Sequence, residues 1–586
     1  MDAQEQLNMP IRYNHIGYLP NGPKVFFLNP RCLDVEESQW PMLYYRIVGA
    51  SGFADYKGCF EKGSFKNDGV CGYTGESLWS GTFSNVHETG SYRILIFLGR
   101  NSGNDRLLFE SPAFEISDDW ALRQLKANIK SFYFQRSGVE LTREFAGPWA
   151  RPAAHLDDCI KFHASMNREG VWNAHGGWYD AGDYGKYIVN GGVSVGTLLL
   201  ACELCDERLR QKKAKGTLAE DVINEGGTFN LPFSLKDEIR FELDFFLKMQ
   251  DEDGGVFFKV TPERWDGFVT PTVSDSTQKR LILGKSTTST LNFAGCMAAA
   301  SRVYRGSDRA FSNRCLGASI RAYQWACRNP EADWPHNTEG SGGYGDSCYT
   351  DEFFWVRSML YRELQGVKSF PKKSMDSLRS ILLKDMDKNK IKLGLDWRDT
   401  QNFGWIALAL QDFDVELRDR ARKTLEGAAA EIIRLQQADP YGLSIRSFIW
   451  GSNGEISNHA LTLMVVNTWR KTVEGQSLIK WSQEQLNFVY GRNPLNVSFV
   501  TGSAWSSPKR PHHRLSHSDK VVDPIPGLLV GGINADRQDL HRFPTYPNEL
   551  PGYSYTDEQC SFASNETAIN WNAPLTAVLA LLVAYN

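Results

Sequence analysis

The sequence predicts a mostly α protein, with an all-α domain of about a dozen helices over residues 118–586 behind a small all-β sandwich over residues 1–117. Two observations carry this. In the first ~115 residues, short apolar or alternating runs alternate with turn-forming clusters, the pattern of antiparallel strands. From Trp120 onward the apolar period changes from 2 toward 3.6, with almost no convincing strand between the helical stretches.

In chain order, Val25–Leu28, Leu43–Val48 and Tyr92–Leu98 read as strands, separated by NGP, KNDG and GRNSGND. The run SPAFEISDD closes this part near Asp118. Helical spacing then picks out Trp120–Phe134, Gly191–Glu207, Leu235–Gln250, Thr287–Tyr304 and Phe311–Cys327. It continues in Asp351–Leu364, Glu416–Gln436, Asn458–Thr472, Ile479–Tyr490 and Glu566–Tyr585. Gly/Pro-rich connections stand at Asn337–Ser347 and Gly502–Tyr555. The second is too long for a mere connector, which marks it as a functional loop.

Bulk composition narrows the function. The 586 residues are 42% hydrophobic and 23% charged, as in a soluble globular protein. A net charge of −4 offers no footprint for nucleic acid and no polybasic membrane patch. The first residues lack a basic start followed by an apolar run, and no 18-residue apolar stretch is evident, so neither export nor membrane spanning is expected. The 11 cysteines form no regular framework, and the CxxC at Cys202 and Cys205 sits in an apolar helical pattern without a second pair. A reduced, cytoplasmic protein is the expectation. The 17 Trp, 22 Tyr and 33 Phe mainly fill cores between helices, but such rings also stack on the apolar faces of sugars.

Three stretches offer chemistry. GGWYDAGDYGKYIVN places Asp180 and Asp183 three apart among aromatic residues, with small residues that let backbone approach a ligand. Two like charges in one aromatic pocket perturb each other, which is how a base near neutral pH arises; the ordinary explanation is a capping Asp and a turn Asp. PHHRLS places His512, His513 and Arg514 in the long loop, suited to hydrogen bonding sugar hydroxyls, or simply to a basic surface turn. In FASNETAINW, Glu566 stands at what reads as a helix start between Phe562 and Trp571. A carboxyl in apolar surroundings has a raised pKa and donates a proton at neutral pH; the ordinary explanation is a first-turn Glu favoured by the helix dipole. Asn565–Glu566–Thr567 is also formally a glycosylation sequon, and a glycan there would block the site. No P-loop, GxGxxG, HExxH or GxSxG motif is present.

Together these stretches resemble the catalytic motifs of glycoside hydrolase family 9, and the resemblance covers most of the chain. IRYNHIGYLPNGPKVFFL is similar to the start of that family's immunoglobulin-like domain. AGPWARPAAHLDD, GGWYDAGDYGKYIVNGG, FIWGSNGEISNHALTL, YGRNPLNVSFVTG, PHHRLS and NETAINWNAPL follow in the family's order. The resemblance implies an (α/α)6 barrel and hydrolysis of β-1,4-linked glucan-type chains with inversion, without a cofactor. It makes Asp183 the general base, Asp180 the residue that holds the water, and Glu566 the general acid. His512, Arg514, Tyr184 and Trp450 are assigned to substrate. An inverting site needs its carboxyls about 6.5–9.5 Å apart, to admit a water.

The sequence also departs from the family. Where many members hold a structural zinc with two Cys and two His, Ser137, Ala154 and Tyr179 stand at ligand positions and only His155 remains, so no metal is expected. Cys560, Ser561 and Phe562 replace the usual acidic-aromatic pair before the acid. For a cytoplasmic enzyme the expected partner is a short β-1,4-linked oligosaccharide cut from its non-reducing end, with glucose or glucosamine at the cleavage subsite. Asp351 or Glu352 are candidate partners for an ammonium at C2. The competing readings are an endo-β-1,4-glucanase and a sugar-binding protein that has lost catalysis.

Overall fold

The structure is a computed structural model that describes residues 3–50, 59–99, 105–212, 220, 222, 233–335, 338–365, 367 and 370–585. Most of the turn GRNSGND, and Asn337, fall outside the described residues.

The N-terminal strands form two sheets. One runs Ile11–Arg12, Val25–Leu28, Ser77–Thr82, Lys66–Val70. The other runs Gly17–Tyr18, Phe114–Ile116, Gly90–Leu98, Leu43–Gly49, Cys59–Ser64, with Arg106–Glu110 also paired to Gly90–Leu98. Their inner faces close on Ile11, Phe26, Ile47, Phe83, Ile94 and Ile96, each fully buried. Arg12 and Glu76 form a buried ion pair at 2.6 Å, and the Tyr441 hydroxyl bonds the same carboxylate from the helical part. The His15 amide donates to the Tyr490 carbonyl at 2.9 Å, and the amide of the Asn14 side chain donates to Asn487 Oδ1 at 2.9 Å. The sandwich is therefore fixed to the barrel by buried polar contacts, which are costly to break once formed.

From Trp120 the helices make two rings of six. The inner ring is Ile188–Lys212, Thr287–Tyr304, Thr350–Leu364, Gln401–Ala409, Ser452–Val466 and Ile569–Tyr585. The outer ring is Trp120–Phe134, Leu235–Met249, Arg309–Arg328, Lys372–Lys388, Val415–Ala438 and Leu478–Val489. This is an (α/α)6 barrel. Inner helices are buried nearly all round, so they lack one apolar stripe; outer helices bury a stripe and expose a charged face. Ser234 with Asp237, and Ser286 with Ser289, start their helices with reciprocal capping bonds. Helix Ile188–Lys212 contains a stretch apolar and long enough to cross a membrane, contrary to the sequence expectation, but 94% of that stretch is buried in the ring.

Three features differ from the sequence reading. Lys372–Lys388 and Gln401–Ala409 are helices that the periodicity did not mark. The helical part also holds a five-stranded sheet, ordered Val171–Trp172, Ile160–Phe162, Arg280–Lys285, Phe257–Pro262, Lys186–Tyr187. Its strands of two to six residues are too short to show a period. Finally, the last helix begins at Ile569, not at Glu566, which lies in extended backbone at φ −72°, ψ 152°.

Candidate active site

Asp180 and Asp183 lie on a tight turn leading into helix Ile188–Lys212. The Asp180 amide donates to the Gly185 carbonyl at 3.0 Å, closing the turn. The Gly185 amide and the Tyr187 hydroxyl both donate to Asp183 Oδ2, at 3.1 and 3.0 Å. Asp180 accepts from Asn190 Nδ2 at 2.7 Å on one oxygen and from the Tyr344 hydroxyl on the other. Glycine is required at 182, because a Cβ there would lie 2.2 Å from the His512 carbonyl oxygen.

That contact brings in the long loop. Extended segments lie side by side: the Arg514 amide donates to the Gly182 carbonyl at 3.0 Å, His512 bridges Glu566 in parallel, and the Gly531 amide donates to the Glu566 carbonyl at 2.7 Å. The 512–514 segment thus touches both the Glu566 segment and the Asp180–Asp183 turn, and these two also meet directly, the Ile569 amide donating to the Asp180 carbonyl at 2.8 Å. The backbone of 502–555, irregular as expected, holds the acidic groups in register. Asn565 is fully buried and bonded at both ends of its amide, to Tyr555 and to the Arg510 carbonyl, which leaves no room for a glycan.

The three carboxyls share one electrostatic environment. Burial, then the Asp183 charge, pushes Asp180 up to about 7, against the hydrogen bonds from Tyr344 and Asn190. Burial, then Asp183, drives Glu566 well above the usual carboxylate range, with Arg514 opposing. The shift favours the protonated form of Glu566, the form a general acid needs. His512 donates from Nδ1 to the Gln559 carbonyl at 2.7 Å, and burial lowers its pKa to about 4, so the ring is neutral.

The remaining residues expected at the substrate divide. Trp450, 41% exposed, lines a cavity of about 340 Å3 with Trp571, Asp396, Asp399 and Glu455. Its wall includes Asn570 and Trp571, which follow Glu566 in the chain, and Asp396 and Asp399, which flank Trp397, whose ring packs edge-on at 5.1 Å against Tyr344. Arg514 is buried and donates to the carbonyls of Gly182 and Asp266, at 2.8 Å each, so its guanidinium ties the catalytic turn to the Trp265 loop. Tyr184 is 1% exposed and donates to the Val269 carbonyl at 2.6 Å; it stands inside the wall and not on a sugar-facing surface. Asp351 and Glu352, proposed for a sugar ammonium, lie at the start of helix Thr350–Leu364 and do not line the Trp450 cavity; Asp351 Oδ2 accepts from the Thr400 amide and hydroxyl, at 2.7 and 3.1 Å.

Two residues important to the site were not singled out from sequence. Tyr344 sits in SGGYGDS, where a lone aromatic in a Gly-rich link between helices was the available signal. Lys259 lies on the short strand Phe257–Pro262, which the helical period masked.

The positions set for zinc form a hydrogen-bonded cluster. His155 Nδ1 is 2.7 Å from the Tyr179 hydroxyl and Nε2 is 3.0 Å from Ser274 Oγ, while Ser137 donates to the His155 carbonyl at 3.2 Å. One imidazole with both nitrogens engaged by hydroxyls does not fit a closed tetrahedral zinc site. Elsewhere, Asp346, Asp351 and Glu352 bring one oxygen each within 4.8 Å of one another. Both Glu352 oxygens, Asp351 Oδ1 and Asp346 Oδ2 are buried without a hydrogen-bond donor. An all-oxygen set of this kind fits a hard cation such as calcium. Saturating calcium is expected to raise the unfolding midpoint by about 2–4 °C, and Asp351→Asn to abolish the rise in a thermal scan with and without chelator.

Residues 123–579 match the glycosyl hydrolase family 9 profile. The chain belongs to glycoside hydrolase family 9. It is a glycoside hydrolase by that membership. It is 33% identical to the xyloglucan-specific endo-β-1,4-glucanase BoGH9A of Bacteroides ovatus, over 98% of this chain and 94% of the relative. It is 29% identical to a cellodextrinase of Butyrivibrio fibrisolvens, over 97% and 98% of the two chains. The solved structure of AaCel9A in complex with cellobiose-like isofagomine superposes with a TM-score of 0.81 at 27% identity, covering 98% of this chain and 100% of that one.

Proposed function

We propose that this family 9 enzyme is an inverting hydrolase of short β-1,4-linked oligosaccharides that releases one sugar from the non-reducing end. Asp183 removes a proton from water held by Asp180, and protonated Glu566 delivers one to the leaving oxygen. The carrying observation is that the Glu566 segment is joined to the Asp180–Asp183 turn, directly where the Ile569 amide donates to the Asp180 carbonyl at 2.8 Å and again through the shared 512–514 segment. Inversion requires base and acid carboxyls about 6.5–9.5 Å apart, with a water between them. His512 and Trp450 contact the sugar.

Short chains are supported by the compact cavity at Trp450 and by the name of the Butyrivibrio relative. Lys392 and Arg446 also line the wall, but they pair with Asp399 at 3.3 Å and with Glu431 at 2.8 Å, so Asp396 and Glu455 are the acids that favour a cationic ring such as glucosamine over glucose. Burial, then Asp396, lifts Glu455 to about 7, so a sugar ammonium would draw it into its charged form. A second reading, endo-β-1,4-glucanase, is supported by the name of the Bacteroides relative. Product analysis on cellotetraose and on the corresponding glucosamine tetramer decides. The expected products are monosaccharide and trimer, with the new reducing end in the inverted anomer by early-time NMR. Dimers as first products favour the endo reading, and a retained anomer rejects the mechanism.

A further inference from the structure

Lys259 is fully buried on strand Phe257–Pro262, directly opposite Tyr187 in the antiparallel pair. A buried ammonium is costly, and a methionine would fill similar space, so its charge needs a reason. Its Nζ donates to the Gly342 carbonyl at 2.8 Å and to Ser341 Oγ at 3.3 Å. Two residues along the strand, on the same face, the Thr261 hydroxyl lies 2.6 Å from Ser341 Oγ. The link is flush with the strand, since a Cβ on Gly340 would sit 2.0 Å from the Pro262 carbonyl oxygen. Two residues beyond Gly342, Tyr344 bonds Asp180.

The lysine reaches the second phenol as well. Its Nζ stands 5.4 Å from the centre of the Tyr187 ring, whose hydroxyl donates to Asp183. Tyr187 and Tyr344 pack edge to face at 5.0 Å. We infer that Lys259 is a positioning residue for hydrolysis: it clamps the 341–342 link so that Tyr344 is delivered to Asp180 beside the Tyr187–Asp183 bond. This rests on the reading of Asp180 and Asp183 as the water-activating pair. Burial lowers the ammonium to about 7, with Asp183, Glu339 and Asp180 working to keep it charged, as a link to that pair requires.

A double-mutant cycle tests the inference. Lys259→Met is expected to lower kcat by roughly 10–100-fold with KM changed by less than about threefold, because misplacement of catalytic groups costs rate before binding. Lys259→Arg should recover most of that loss. Tyr344→Phe should lower kcat similarly, and the double variant should be no slower than the slower single, since the lysine acts through the phenol. Multiplying effects in the double variant, or wild-type kcat in a folded Lys259→Met, would overturn the inference. Should Lys259→Met fail to fold, Ser341→Ala enters the same cycle; it is expected to cost severalfold in kcat and to be non-additive with Tyr344→Phe, and additivity again overturns the inference. Asp183→Asn and Glu566→Gln are measured alongside. If these two are inactive while Lys259→Met is normal, this inference fails alone; if these two are active, the reading beneath it fails.

Discussion

Glu566→Gln lowers kcat on an oligosaccharide by about two orders of magnitude or more, because the carboxamide keeps the shape but has no proton to give the leaving oxygen. An aryl glycoside with an acidic phenol as leaving group loses far less, since that oxygen departs without protonation. Asp183→Asn behaves differently. It removes the group that takes the proton from water, so both substrates slow by a comparable large factor. The contrast follows from the surroundings: burial and the neighbouring Asp183 favour the protonated form of Glu566, while Asp183 accepts from the Gly185 amide and the Tyr187 hydroxyl. Steady-state rates on the two substrates provide the check. Equal losses for Glu566→Gln on both would remove it from the acid's role.

Asp180→Asn should give a slower but, at alkaline pH, more stable enzyme. The folded protein raises this carboxyl from 3.8 to about 7, mainly by burial and then by Asp183. A raised carboxyl means that the folded state prefers the protonated form. Its contribution to stability is therefore complete below about pH 4 and is lost as pH rises toward about 7. By linkage the limit is on the order of 4 kcal/mol for a shift of this size, shared across a pair that titrates together. Asparagine carries no charge to desolvate, so calorimetry should show the variant gaining on the wild type between pH 5 and 8. Glu455, lifted to about 7 by burial and then Asp396, slopes the same way in both proteins and cancels in the difference, while Glu242, lifted to about 8 mainly by burial, loses only the smaller push from Asp180. An unchanged difference across that range would show that Asp180 does not carry the proton. Sites that hold unfavourable charge for function often trade stability in this way.

Much of the barrel was legible because outer helices advertise one apolar stripe, as in Trp120–Phe134, whose bounds the periodicity matches, and in Leu235–Met249, which Ser234 and Asp237 also cap. Gln401–Ala409 escaped because a short helix buried on all sides has no stripe to show. The carboxyls at 180, 183 and 566 were legible as motifs, but their common setting was not. It depends on backbone contacts among the 180–183 turn, the 512–514 segment and the 565–569 segment, which side-chain patterns do not encode. Tyr184 illustrates the opposite error: adjacency in sequence to Asp183 suggested a sugar contact, yet the turn rotates its ring into the wall. The carboxylate cluster at Asp346, Asp351 and Glu352 was visible only as scattered acids until the helix start folded them together.

The inner ring also has a temporal meaning. Helix Ile569–Tyr585 packs against both Ile188–Lys212 and Ser452–Val466, so it is the piece that closes the circle. It is also the last ring helix to be synthesised, and Glu566 arrives with it. On the proposed mechanism, a nascent chain lacking this segment holds the base without the acid and is expected to be inactive. Because the closing contacts join residues hundreds of positions apart, the loop entropy they overcome is large and their formation comes late. On that mechanism, hydrolytic activity appearing during refolding is a clock for ring closure, since Glu566 stands three positions before the helix that closes the circle.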